Sequence, residues 1–301
     1  MTSAIDKILE EQTVFILGAG ASSPYNFPLG KQLKDNILKY PDDEINTILD
    51  VDERGFLTEL IPEFKEILRY GDYSTIDEFL EHKGRFRKLG AYYIVAALGK
   101  LERPEHLFPQ RDLYAELFKI FDIGSENGNI LPIKVVSLNY ERSLEYFLNK
   151  NCLYNCSEDS EKTALNKVSR IQIIHAHGSL GELDSVPYGK VLKEQSHVKK
   201  AVDNIKIISD RLDDSEDFQN AQTIIAEARS IIFLGFGYHA RTLKSLFAKS
   251  DLNTKDIYGT TYKLDQADKT TMYELTSKAK TKFFGNDSED CAMFSKRLQQ
   301  E

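Results

Sequence analysis

Short apolar runs punctuate this chain. The first is Val14-Phe15-Ile16-Leu17, which stops at Gly18-Ala19-Gly20-Ala21-Ser22-Ser23. Ile133-Lys134-Val135-Val136-Ser137-Leu138, Ile171-Gln172-Ile173-Ile174 and Ile231-Ile232-Phe233-Leu234-Gly235 share that form. Each is short, rich in β-branched residues and without apolar–polar alternation, as a strand covered on both faces should be. Tyr258-Gly259-Thr260-Thr261-Tyr262 and Thr281-Lys282-Phe283-Phe284 read as two further strands.

Helical spacing fills the intervals, with helices expected at about Leu29 to Tyr40, Ser143 to Lys150, Asp217 to Arg229, Ala240 to Lys249 and Lys269 to Lys278. Strands alternating with helices predict an α/β fold, a Rossmann-like, doubly wound and mainly parallel sheet. Residues 41–128 break the alternation. There Ile61, Phe64, Ile67 and Leu68, then Ile76, Phe79 and Leu80, then Tyr93, Ala96 and Ala97 recur at helical spacing. The expected organisation is one domain over 1–301, with a Rossmann-like core at 1–40 and 129–301 and a helical insertion at 41–128. The polar, aperiodic stretch Asn151 to Arg170 reads as a loop or short hairpin, and Asp213-Asp214-Ser215-Glu216-Asp217 as a solvated helix N-terminus.

Composition narrows the function classes. A chain of 301 residues, 41 % hydrophobic and 29 % charged, is long enough to bury a core without disulfide staples. With 39 Lys+Arg against 47 Asp+Glu, the formal charge of −8 disfavours broad electrostatic binding of nucleic acid. Three cysteines, Cys152, Cys156 and Cys291, cannot all pair within one chain, and the first residues do not resemble a signal peptide. A reducing cytoplasmic location is therefore expected. No apolar run approaches the roughly 20 residues that a membrane-spanning helix needs, so no membrane association is expected.

Candidate chemistry gathers at the strand ends. A glycine-rich turn between a parallel strand and a helix lets backbone N–H groups approach a pyrophosphate, and Gly18-Ala19-Gly20-Ala21-Ser22 has that character. The dinucleotide fingerprint of dehydrogenases would place a third glycine where Ser23 stands. Other strands end in Ser137-Leu138-Asn139-Tyr140-Glu141, His175-Ala176-His177-Gly178-Ser179-Leu180 and Gly235-Phe236-Gly237-Tyr238-His239. Ligands of open α/β sheets bind beyond the carboxyl ends of strands, so these ends should converge on one crevice.

Taken in order, Gly18-Ala19-Gly20-Ala21-Ser22, Leu138-Asn139-Tyr140-Glu141, His177-Gly178-Ser179-Leu180 and Gly235-Phe236-Gly237 resemble the sirtuin family of NAD-consuming enzymes. The likeness is greater to the bacterial sirtuin-like domains of antiphage defence systems, with their Ser-Thr-Asn-Tyr-Asp, His-Gly-Ser-Leu and Leu-Gly-Phe-Gly-Tyr elements. Ser74-Thr75-Ile76-Asp77-Glu78-Phe79-Leu80 also resembles a Ser-Ile-Asp-x-Phe-Leu element of those domains. The resemblance implies that Gly18, Ala19, Gly20, Ala21 and Ser22 cradle the NAD pyrophosphate and that Gly235, Phe236 and Gly237 line the adenosine side. It implies that Gly178 and Ser179 contribute to NAD binding, that Asn139 sits beside the nicotinamide ribose, and that His177 is the general base. Asp77 is either an accessory group of the nicotinamide pocket or a helix-surface carboxylate.

Three departures redirect the expected chemistry. Sirtuin deacylases carry two Cys-x-x-Cys pairs around a zinc ion, whereas Cys152-x-x-x-Cys156 has another spacing and Cys291 stands far away. No zinc or other cofactor is expected, with NAD as substrate. The Asp-Phe-Arg of deacylases is replaced by Phe27-Pro28-Leu29-Gly30, and Glu141 stands where the relatives have Asp. The expectation is an NAD hydrolase that releases nicotinamide and ADP-ribose as a defence effector. The alternatives are an NAD-dependent deacylase or ADP-ribosyltransferase, and a non-catalytic NAD- or ADP-ribose-binding subunit. About 15 residues follow the last strand, roughly one helix at 1.5 Å per residue, so control is expected from homo-oligomerisation or a separate protein. The resemblance implies a partner such as a HerA-type hexameric ATPase.

Overall fold

A computed structural model describes residues 12–108, 112–121, 133–155, 168–169, 171–207 and 215–300. Among these residues six strands form one sheet: β1 (Thr13–Leu17), β2 (Lys134–Ser137), β3 (Gln172–His175), β4 (Ser230–Leu234), β5 (Asp256–Gly259) and β6 (Thr281–Phe284). The order is β3-β2-β1-β4-β5-β6, and every pairing is parallel. This is the doubly wound order, with its switch point between β1 and β4.

Both sheet faces are buried, which explains the unbroken apolar runs. Val14, Ile16, Val136, Ile174, Ile231, Phe233 and Ile257 point one way. They meet helices α10 (Glu216–Glu227) and α11 (Ala240–Leu246) through Phe218, Ala221, Ile225, Leu243 and Leu246. Phe15, Leu17, Val135, Ile232 and Leu234 point the other way, into a larger core. That core takes in α8 (Ser143–Asn155) and α13 (Cys291–Gln300), and it continues without a break into the helices between β1 and β2.

Those helices are α1 (Ala19–Ser22), α2 (Gly30–Lys39), α3 (Asp42–Ile48), α4 (Arg54–Tyr70), α5 (Ile76–His82), α6 (Arg87–Gly99) and α7 (Leu113–Ile120). At their centre is α6, buried from Leu89 to Gly99. Phe64 of α4 stacks on Tyr93 of α6 with ring centroids 5.1 Å apart, and Phe79 of α5 meets Phe64 edge-on at 5.2 Å. The start of α5 follows from its sequence: Thr75 Oγ1 accepts from the Glu78 amide at 3.2 Å, while the Glu78 carboxylate accepts from the Ser74 amide at 2.6 Å. This reciprocal cap sets Ile76, Phe79 and Leu80 into the core and leaves Asp77 on another face.

Three elements differ from the expectation. α8 runs to Asn155, so the first residues of the stretch read as a loop from Asn151 are helical; the rest lies mostly outside the described residues. Residues 195–204 form a helix that was not expected, α9 (Gln195–Asn204), and it packs on α6. The fifth strand lies at Asp256–Gly259, two residues earlier than the run from Tyr258 implied. Remaining helices are α12 (Gln266–Leu275), between β5 and β6, and α13. Asp213 and Asp214 lie outside the described residues, but Ser215 caps α10 through the Phe218 amide with Glu216 and Asp217 in its first turn.

Candidate active site

Register alone aligns the candidate residues. Leu17 pairs with Ser137 and with Leu234, and Ser137 pairs with His175. Two residues beyond these positions come Ala19, Asn139, Phe236 and His177. Four adjacent strands therefore end in register, and His177, Asn139, the glycine turn and Phe236 follow those four carboxyl ends. At about 4.8 Å per strand, that row spans roughly 14 Å.

The two glycine loops meet backbone to backbone. The Gly18 amide donates to Leu234 O at 3.0 Å and the Gly20 amide to Gly235 O at 2.9 Å. A Cβ on Gly18 would lie 2.5 Å from Gly235 O, and one on Gly235, whose φ is +61°, would lie 2.0 Å from the Ala21 amide nitrogen. Glycine is required there first by the fold. The Gly18, Gly20 and Ala21 amides are committed to main-chain oxygens, Ala21 to Gly18 O at 2.9 Å, so they are not donors in waiting. Gly235→Ala should lower unfolding stability by about 2 kcal/mol or more, because it adds a clash to a left-handed backbone; urea denaturation measures it, and an unchanged midpoint would contradict this packing.

Asn139 is 9 % exposed and joins the two strand ends. Its side-chain nitrogen donates to Gly18 O at 3.2 Å, Ser22 Oγ at 3.4 Å and Glu141 Oε1 at 3.3 Å. Its own amide donates to Ser137 Oγ at 3.2 Å. Glu141 is buried, and its second oxygen accepts from the Ser143 amide at 2.7 Å. Burial pushes the Glu141 carboxyl upward, against the opposing pull of the Ser143 hydrogen bonds.

His177 is 6 % exposed, and its Nδ1 is buried without a hydrogen-bond partner. The ring lies between Tyr140 and Phe218, with centroids 6.3 Å from each. Burial lowers its pKa, partly opposed by the charge of Asp77. At neutral pH the ring is an uncharged imidazole able to accept a proton. The Tyr140 hydroxyl donates to Asp77, so α5 of the inserted helices touches the wall of this site. Asp77 is half-buried on α5 and meets the residue that follows Asn139.

Gly178 and Ser179 are occupied within the fold. A Cβ on Gly178 would lie 1.8 Å from Asn204 O, and the Asn204 side chain donates to both Ser179 Oγ and Ser179 O at 3.1 Å. Phe236 is buried against Phe233 and Tyr238. Gly237 lies beneath the His239 ring, whose Nε2 would be 3.1 Å from an added Cβ.

Two side-chain pairings leave no trace in the sequence. Arg142 is fully buried: its Nε donates to Glu102 Oε1 at 2.9 Å, its Nη2 to Glu102 Oε2 at 2.6 Å, and its Nη1 to Gly181 O and Val186 O. The second is the pair His175–Glu145. Neither leaves a local signal, because each joins residues 30 or more positions apart.

Cys152 and Cys291 are buried, and burial pushes the Cys291 thiol up to about 12. Cys156 lies outside the described residues. Among the described residues, no group of three or more His, Cys, Asp or Glu side chains is arranged to hold a metal ion. Among them too, no helix is long and apolar enough to cross a membrane.

No protein-family model matches the chain, and no curated protein matches it. Among solved structures, a triple mutant of a Sir2 homologue in complex with 2'-O-acetyl ADP-ribose aligns over 98 % of this chain and 95 % of that one, with 13 % identity and a TM-score of 0.44. This chain is similar to it almost end to end. A second structure, solved for the structural basis of sirtuin substrate affinity, aligns over 98 % of this chain and 96 % of that one, with 15 % identity and a TM-score of 0.42.

Proposed function

We propose that this protein is an NAD hydrolase that cleaves NAD to nicotinamide and ADP-ribose, and that it acts as the NAD-depleting effector of an antiphage defence system. One observation carries the reading: His177, Asn139, the Gly18–Ser22 turn and the Gly235–Gly237 loop follow directly on the carboxyl ends of four adjacent strands that finish in register. The ordered motifs and the absence of paired Cys-x-x-Cys sequences favour water over an acyl-lysine as the acceptor.

In this reading the bond between the ribose C1′ and the nicotinamide nitrogen breaks. Its electron pair neutralises the pyridinium, and nicotinamide leaves. The ribose passes through an oxocarbenium-like state, as in glycoside hydrolysis. Asn139 orients the attacking water with the carbonyl end of its amide, since the nitrogen end is held by Gly18, Ser22 and Glu141. The water oxygen bonds to C1′, and His177 accepts its proton. Asp77 acts on His177 through its charge and through Tyr140.

Nicotinamide release by the full-length protein tests this, alone and as a homo-oligomer or with a HerA-type ATPase, the partner that the resemblance implies. Asn139→Ala should lower release by about 10²-fold, the scale expected when a reacting group loses its orientation. Turnover that is unchanged in Asn139→Ala, or that requires an acylated peptide, would overturn the hydrolase reading.

A further inference from the structure

His175, the last residue of β3, is held at both ring nitrogens. Nε2 is ion-paired with Glu145 Oε1, in the first turn of α8, and Nδ1 lies 2.7 Å from the main-chain oxygen of Asn139. Both partners are acceptors. Only the doubly protonated ring can donate to both at once.

The surroundings favour that state. Burial acts to lower the His175 pKa, but the Glu145 carboxylate outweighs it, with the Asn139 oxygen and the Glu141 charge adding to the lift, so the ring titrates at about 9. Glu145 is correspondingly held below the usual carboxylate range: burial works upward and the His175 cation overcomes it, with Arg142 helping. α10, which packs on β3, turns Phe218, Ala221, Gln222, Ile224 and Ile225 inward, and none of these is charged.

We propose that His175, clamped by Glu145, is a positioning residue that donates to the Asn139 main-chain oxygen and so fixes the Asn139 side chain at the strand edge. The inference rests on the reading of Asn139 as part of an NAD-cleaving site. Asn139 is then held at three places: its amide by Ser137, its side-chain nitrogen by Gly18, Ser22 and Glu141, and its carbonyl by His175. Releasing the carbonyl leaves the others in place but frees the peptide to rotate.

The direction of the pH dependence follows. The folded pKa of about 9 lies above the ordinary histidine value of 6.5, so the clamp is complete below pH 6.5 and is lost as pH rises through about 9.

NAD turnover of the full-length protein against pH, combined with NMR titration of the imidazole rings, tests the proposal. In the wild type, kcat should fall with an alkaline inflection near 9, where the His175 ring titrates. Glu145→Gln, nearly the same shape, should move both inflections down by a pH unit or more. His175→Ala should lower kcat by about 10- to 100-fold while KM changes little, and His175→Gln, which keeps an N–H for the Asn139 oxygen, should recover part of the loss. An active wild type whose kcat and inflection are unchanged in Glu145→Gln overturns the proposal and leaves the hydrolase reading standing. Failure of the hydrolase reading looks different: no NAD turnover in any assembly state, with His175 still titrating near 9, which removes the positioning role and leaves only the ion pair.

Discussion

Replacing His177 by alanine should abolish measurable nicotinamide release, a loss of about 10²- to 10⁴-fold, the range for removing a general base. The protein should remain folded. The His177 Nδ1 has no hydrogen-bond partner, so its removal orphans no buried donor or acceptor at that atom, and the loss is packing against Tyr140 and Phe218. A cost of about 1–2 kcal/mol is expected. The wild-type pH profile adds a second signature. Burial lowers the pKa of this ring, so the neutral base persists to acidic pH and the acid limb of turnover should lie below the ordinary histidine value. Wild-type turnover in His177→Ala, or a variant inactive only because it is unfolded by circular dichroism, would count against the assignment.

Arg142→Ala should lower stability by about 3–5 kcal/mol, because it strands the Glu102 carboxylate in the core. It would also leave Gly181 O and Val186 O without their guanidinium donor. The cost belongs to the broken pair more than to the intact one, since burying two charges is itself expensive. A double replacement, Arg142→Met with Glu102→Gln, should therefore recover much of the loss. Urea denaturation of the three proteins checks this, and a single-variant loss below about 1 kcal/mol would contradict the ion pair. Activity should fall with stability, because Arg142 follows Asn139, Tyr140 and Glu141 directly and anchors the turn that carries them.

The central strands β1, β2 and β4 were legible because they are buried on both faces, so their apolar runs have little alternation to obscure them. The α9 helix was missed although Val198, Ala201, Val202 and Ile205 stand at helical spacing and are buried. Its intervening residues are Gln, Ser, His, Lys and Asp, which lowers the apolar density that drew attention to the earlier helices. The glycine turn shows a different limit. A glycine-rich turn after a strand fits both a phosphate cradle and a close approach of two loops, and only the position of Gly235 opposite Gly18 and Gly20 reveals the second use. Asp77 was legible as a motif member but not as a neighbour of Tyr140, because the helix carrying it returns to the sheet edge from a distant part of the sequence. His175 was visible as a candidate. Its partner Glu145 lies 30 positions away, in the first turn of the helix that follows β2, where nothing in the sequence ties the two together.

β1, the first strand of the sheet to be synthesised, is flanked on both sides by strands that come much later in the chain. β4 emerges roughly 200 residues after β1, which at about 5–20 residues per second is a delay of some 10 to 40 s. Until then at least one edge of Thr13–Leu17, a segment buried throughout in the finished fold, presents unpaired amides and carbonyls flanked by apolar side chains. The strand on which the sheet is centred is thus also a stretch of nascent chain that waits long for its partners, and its exposure during synthesis makes it a natural point for chaperone capture or misassembly.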